Sequence, residues 1–326
     1  MPEGQIGETD KMREPDVMVY LMTGFLDSGK TQFLDFTLKQ DYFQIEGKTL
    51  LILCEEGEGE YNPMELLRYG VVIERVEDQE DFTEEWLEEM DRKHEPERVV
   101  IEYNGMWKVS DFEKMKLPAG WAVEQKITTV DASTFQMYLT NLKPLFVEMV
   151  RGAELVLFNR CEDKKPLAGY RRSVKVVSPQ AEVIFEDESG EVDNIFEDEV
   201  PYDLNAPVIE IRREDYGIWY VDMMEHPERY KGKVVEYTAK VLKPKAFPSK
   251  VFLPGRMAMT CCADDTSFLG YVCRSAYAPK LKAGQWVKIR AKVRFANLSV
   301  YRGEGPVLEA ENIEPAEPIE ELVYFN

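Results

Sequence analysis

Residues 17–31 read VMVYLMTGFLDSGKT. The apolar run over 17–22 has the length of one buried strand. Gly24 and Gly29 then bracket a tight loop in the pattern G-x-x-x-x-G-K-[ST], and Phe33, Leu34 and Leu38 follow at helical spacing. Strand, glycine loop and helix in that order point backbone N–H groups at a helix N-terminus, a cradle for phosphate. The lysine meets the outer phosphates and the threonine hydroxyl a magnesium ion. Gly24, Asp27, Ser28, Gly29, Lys30 and Thr31 are therefore candidate nucleotide-binding residues. Lys30 is expected to face solvent in the loop.

Working outward, TLLILC (49–54), RVVIEY (98–103), KITTVDA (126–132), AELVLFNR (153–160) and AEVIFE (181–186) are further short apolar runs. Helical spacing is predicted over 31–40, over the acidic stretch 74–95 and from Leu139 to Val150. Strands alternating with helices imply an α/β domain with a mainly parallel sheet covered on both faces. From Tyr230 onward the helical period is lost. VVEYTAKVL, KVFLPGRMAMTCC, FLGYVCR, QWVKIRAKVRF and VLEAENI read as five strands of a small all-β, OB-like barrel. The expected division is a flexible tail over 1–16, a nucleotide-binding domain over 17–190, an acidic linker over 191–206 and the barrel domain over 207–326.

Composition limits the classes of function. The net charge is −21, which argues against a nucleic-acid binder over the whole surface. Between Arg229 and Arg302, however, 16 Lys/Arg stand against three acids, so the two halves carry different surfaces. Two histidines exclude a histidine-rich metal cage. Five cysteines without regular spacing fit a reducing cytoplasm, and no apolar stretch reaches the roughly 20 residues of a membrane helix. The N-terminus does not read as a signal peptide.

The remaining parts of a phosphate site follow in order. Glu102 ends the third strand, where a carboxylate can hold magnesium through water, and the Gly105 N–H can meet a terminal phosphate. Lys30, Glu102 and Gly105 are the candidate catalytic group, with Thr31 and Glu102 on the magnesium. Asn159 ends the fifth strand; with Glu162 it can read a guanine edge while Arg160 covers the ring. Among the acids of CEEGEGE, Glu55 and Glu58 are candidate ligands of a hard cation. A solvated loop is the other reading of that run.

VYLMTGFLDSGKTQFL resembles the start of the CobW/HypB/UreG-type P-loop GTPases, whose CobW-like members carry T-G-F-L-G-x-G-K-T-T. CEEGEGEYN stands at the family's N-E-F-G-x-x-G-x-D, IEYNG at E-T-T-G, and LFNRCED at L-N-K-x-D, over about residues 17–186. Gln32 replaces the second Thr and joins the candidate nucleotide-binding residues. The resemblance implies a metal-linked GTPase that binds GTP and Mg²⁺: a metallochaperone or cofactor-insertion enzyme. Two departures bear on this. The C-x-C-C of CobW-like members is missing, since no Cys lies between Cys54 and Cys161. Arg160 and Glu162 replace Lys and Asp, which loosens the expected preference for guanine.

YKGKVVEYTAKVL followed by RMAMTCCADDTSFLGYVC resembles the C-terminal domain of YcgQ-like proteins over about 205–315. Those are membrane-anchored partners of permeases, some tied to zinc supply, so the resemblance implies a docking or sensing module. Cys261, Cys262 and Cys273 form a candidate zinc site if strand pairing sets Cys273 opposite the first two; buried core cysteines are the alternative. The expected activity is slow hydrolysis of GTP to GDP and phosphate in the cytoplasm, coupled to metal homeostasis. A metalloprotein client or membrane permease is the expected partner and a homodimer a further form. Two alternatives remain open: a nucleotide-binding scaffold with weak catalysis, and an RNA-linked GTPase using the basic barrel, although nucleic acid is the less expected partner.

Overall fold

The computed structural model describes residues 16–55, 57, 59–192, 200–259, 266–301, 303–319 and 321–323. The chain forms two compact units, one of 1–162 with 180–192 and one of 163–179 with 193–326.

The first unit is built on a sheet of β1 (Val17–Thr23), β2 (Thr49–Leu53), β3 (Val71–Arg75), β4 (Arg98–Glu102), β5 (Trp121–Asp131), β6 (Leu155–Asn159), β7 (Glu182–Asp187) and β8 (Gly190–Glu191). Their order is β3-β2-β4-β1-β5-β6-β7-β8. All neighbours are parallel except the final pair, β7 and β8. A parallel strand covered on both faces needs an unbroken apolar run; β2 and β4, TLLIL and RVVIE, are buried at every position. The connections carry α1 (Lys30–Thr37), α2 (Pro63–Leu66), α3 (Glu84–His94), α4 (Val109–Phe112), α5 (Ala132–Asn141) and α6 (Lys143–Val150). Because the strands run the same way, their last residues meet at one edge. Register pairs Met22 with Glu102, Thr23 with Thr128, and Asp131 with Asn159. Open α/β sheets bind their ligands outside this edge.

Two helix expectations are corrected. The stretch 74–95 is not one helix: Glu74 and Arg75 end β3, a strand that pairs with β2 along its whole length, and α3 starts only after Thr83. The β-branched residues of VVIER suit a strand, and the Thr83 side chain caps α3 by accepting from Trp86 N at 3.2 Å. The helix read from 139 to 150 is two helices broken at Leu142, because Pro144 sits at the second position of α6 and cannot continue α5.

The second unit contains α7 (Leu167–Val177), α8 (Tyr216–Glu225) and the strands β9 (Ile209–Glu210), β10 (Val234–Leu242), β11 (Val251–Met259), β12 (Thr266–Gly270), β13 (Val272–Arg274), β14 (Trp286–Leu298) and β15 (Gly303–Pro315). Five of them close a ring, β10-β11-β13-β15-β14 and back to β10. Within the ring only β13 and β15 are parallel. This is an OB-like closed barrel. The run FLGYVCR is split: β12 makes a hairpin with β11, and β13 turns into the ring. Between them Tyr271 is fully buried and its hydroxyl donates to the Tyr220 carbonyl. Residues 163–179, expected within 17–190, pack with this unit, where Glu225 of α8 accepts Arg171 at 2.7 Å and Lys175 at 3.3 Å.

The basic strand β14 is largely neutralised inside the barrel. Lys288 and Arg290 both pair with Glu236 of β10, at 2.7 and 2.8 Å, and Arg294 pairs with Glu309 of β15 at 3.3 Å. The hydrogen bond from Lys288 holds the Glu236 carboxyl below its ordinary range, with Arg290 acting the same way against burial. That stabilisation is present above the ordinary glutamate pKa and is lost as pH falls through the depressed value. Glu236→Gln should therefore cost under about 1 kcal/mol at pH 7, since both cationic heads are about half exposed. The difference should close in urea melts at acid pH; a gap independent of pH would show that packing, not charge, is lost. Among the described residues no helix is long and apolar enough to cross a membrane.

Candidate nucleotide-binding site

The loop after β1 is shaped by residues that tolerate no side chain or accept an unusual backbone. Gly24 has φ +143° and a Cβ there would lie 2.5 Å from the Thr129 carbonyl oxygen. Gly29 has φ +94°, and a Cβ would strike the Asn159 amide. Asp27 and Arg160 are left-handed without being glycine, at φ 59° and 54°. They face one another: Arg160 Nη1 donates to the Asp27 carbonyl at 2.9 Å and to the Asp131 carboxylate. Unusual backbone at two facing loop residues is the kind of strain that functional sites retain.

The predicted residues of the loop and of the strand ends take definite places. Lys30 Nζ donates to the carbonyls of Gly24 and Phe25, at 2.9 and 3.0 Å, and pairs with the Glu55 carboxylate. It is buried, not solvent-facing as expected, because those three oxygens enclose it. Ser28 turns inward, its hydroxyl 2.9 Å from that of Thr129, and so supports the loop from beneath. Thr31 Oγ1 donates to Glu102 Oε1 at 2.8 Å, which brings the two predicted magnesium residues together. Burial pushes the Glu102 carboxyl up from its ordinary range, against the opposing effect of Tyr61, Thr31 and Lys30. Gly105 lies against the loop: a Cβ there would be 2.5 Å from the Gly24 carbonyl oxygen and 2.8 Å from Phe25 Cα. Asn159 Nδ2 donates to the Ser28 carbonyl at 2.8 Å, and its Oδ1 is buried with no partner among the described residues. Glu162 is exposed just beyond Arg160.

Asp27, Gly29, Lys30, Thr31, Gln32, Glu55, Glu102 and Arg160 line one pocket of about 90 Å³. Glu55, expected as a ligand of a hard cation, is instead spent on Lys30 and on the Gly105 N–H at 3.1 Å. Glu58 lies outside the described residues. Of the three barrel cysteines only Cys273 is among the described residues. Register sets Cys273 opposite Phe252 of β11, nine positions before Cys261. Cys273 is a core residue, and burial raises its thiol well above the ordinary range. Cys261 and Cys262 lie outside the described residues. No cluster of three potential metal ligands occurs among the described residues.

Two contacting residues escaped the sequence reading. Tyr61 is buried and donates its hydroxyl to Glu102 Oε2, holding the carboxylate from the side opposite Thr31. A lone aromatic in an acidic run gives no sequence signal for that. Asp131 orients Arg160. It ends β5 as Glu102 ends β4, so a strand-end acid was the available signal.

A parallel sheet whose first strand runs into a glycine loop and helix, with a strand-end carboxylate on the threonine of that loop, is a P-loop NTPase domain. Residues 18–185 match the CobW/HypB/UreG, nucleotide-binding domain family, and the chain belongs to that family. Residues 188–325 match the DUF1980 C-terminal domain. Two solved structures are similar. One is the hydrogenase maturation factor HypB from Archaeoglobus fulgidus, at 18% identity over 55% of this chain and 86% of that one, with a TM-score of 0.41. The other is the Zn(II)-bound YjiA GTPase from E. coli, at 17% identity over 78% of this chain and 88% of that one, with a TM-score of 0.42. No curated protein matches the chain at a significant level.

Proposed function

We propose that the first unit binds GTP with Mg²⁺ and hydrolyses it slowly to GDP and phosphate, and that this cycle serves a metalloprotein client or a permease in the cytoplasm. The observation that supports it most is the convergence of Lys30, Thr31, Glu102 and Gly105 around a loop whose glycines leave room only for backbone. The donor set fits the group it would take: Thr31 and Glu102 would hold magnesium, which neutralises phosphate charge when bound. Lys30 and the Gly105 N–H place positive charge and a hydrogen-bond donor at the outer phosphates, the positions where charge builds up during phosphoryl transfer. Glu102 is kept in place by Thr31 and Tyr61. The barrel, with residues 207–326, is the docking module in this reading, and 191–206 joins it to a nucleotide-binding domain over 17–190.

Base choice follows from the other end of the site. Asn159 is fixed by Ser28, while Arg160 is fixed by Asp131 and Asp27. The exposed Glu162 is one methylene longer than the aspartate of its relatives. The expected preference for GTP over ATP is below the roughly 10⁴-fold of a site built on buried hydrogen bonds. Glu162→Asp should sharpen it. Competition titration of both nucleotides measures this, and equal affinity in the parent protein would remove the guanine assignment. Release of phosphate from GTP by the purified full chain, absent in Thr31→Ala, tests the hydrolysis itself.

A further inference from the structure

Glu55 holds a position that nothing in a simple phosphate site requires. Its two carboxylate oxygens are divided between two donors: Oε1 on Lys30 Nζ, and Oε2 on the Gly105 N–H at 3.1 Å. These are the amine and the amide that such a loop offers to a terminal phosphate. A phosphate oxyanion and a carboxylate oxygen make the same demand on them, a charge-assisted hydrogen bond. Both side chains of the ion pair are nearly buried, at 2% and 8% exposure. This is therefore not a surface pair of little consequence.

The backbone on either side shows how the carboxylate is presented. Cys54 is fixed at the end of β2: its N–H donates to the Glu102 carbonyl at 2.9 Å, and its carbonyl accepts Asn104 Nδ2 at 3.1 Å. Glu55 follows directly on this anchored residue. Beyond it, Gly57 and Gly59 also line the pocket, and a Cβ on Gly59 would touch Thr31 Cγ2 at 3.0 Å. The described part of this loop thus borders the phosphate end of the site. The pocket it leaves, about 90 Å³, is far below the roughly 300 Å³ at which ligand pockets begin.

We propose that Glu55 is a specificity-determining residue whose carboxylate stands in for the terminal phosphate. The inference rests on the nucleotide reading above and deepens it. A diphosphate reaches Lys30 through its outer phosphate but leaves the Gly105 N–H unclaimed, so Glu55 keeps that donor. A triphosphate competes for the same two donors and repels the carboxylate, so Glu55 leaves them. A ligand shifts a two-state element only by its difference in affinity for the two states. Here that difference is supplied by one phosphate group.

The test is a titration of the full-length protein with fluorescently labelled GDP and with a labelled non-hydrolysable GTP analogue, both with Mg²⁺. Parent, Glu55→Gln and Glu55→Asp are compared. Glu55→Gln removes the charge that competes with the third phosphate. The ratio of triphosphate to diphosphate affinity should rise at least tenfold, with GDP affinity changed less than threefold. Glu55→Asp keeps the charge but is one methylene too short to span both donors, and should fall between. An unchanged ratio in Glu55→Gln would overturn the proposal, as would equal weakening of both nucleotides, the mark of a merely structural role. A parent that binds neither nucleotide would instead remove the nucleotide reading on which the proposal rests.

Discussion

Lys30→Ala should lower nucleotide affinity by about a hundredfold or more and also reduce the stability of the first unit, and the two effects should separate. The affinity loss follows from removing a charge-assisted donor to the outer phosphates. The stability loss follows from what Lys30 touches in this structure. Its amine closes the loop carbonyls of Gly24 and Phe25 and neutralises Glu55, whose side chain is almost fully enclosed. Removing one member of a buried ion pair leaves the other uncompensated, at a cost of about 3–5 kcal/mol. Combining Lys30→Ala with Glu55→Gln removes the stranded charge. The double variant should recover most of the lost stability but none of the affinity. Urea melts and nucleotide titration on both variants measure this. A Lys30→Ala protein that binds GTP as the parent does would show that the loop is an ordinary glycine turn. A double variant no more stable than the single one would show that the Lys30–Glu55 pair adds little to the fold.

Trp219→Ala should destabilise the second unit by about 3–5 kcal/mol, the cost of deleting a large buried aromatic. Trp219 is fully buried on α8 between Tyr216, Tyr237 and Tyr271, with ring centroids at 5.3, 4.7 and 5.6 Å. Its indole N–H and the Tyr237 hydroxyl are both buried without a partner among the described residues. The substitution therefore removes packing, not a hydrogen bond, and part of the cavity cost is offset by losing an unsatisfied donor. If the two units melt separately, only the transition of the barrel unit should move, and GTP affinity should stay within a few-fold of the parent. A loss below about 1 kcal/mol would mean that α8 is not part of the barrel core. Equal loss in both transitions would mean that the units fold as one.

Local order along the chain determined a good deal of this protein. The phosphate loop was legible because its chemistry is contiguous: strand, glycines, lysine and threonine within fifteen residues, each with a backbone requirement that few other residue types meet. The parallel sheet was legible from apolar runs of strand length, and the barrel from the loss of helical period after Tyr230. Glu102, Gly105 and Asn159 were legible as strand-end residues, because parallel strands deliver their ends to one edge. Tertiary structure alone decided the rest, since those features depend on which distant residues meet. The end of β3, Glu74 and Arg75, lay in an acidic run read as helix, and its strand state is settled by pairing with β2. Cys273 was set opposite Phe252 by register, which no local pattern encodes. The basic stripe of β14 found its counter-charges on β10, far from it in sequence, and on the adjacent β15. The opposite faces of Glu102 and of Lys30 were taken by Tyr61 and Glu55, residues of a loop whose composition reads as solvent-exposed. An acid in such a loop becomes an intramolecular ligand only when the fold sets a buried cation within reach, because then desolvating the pair costs less than leaving the lysine unpaired.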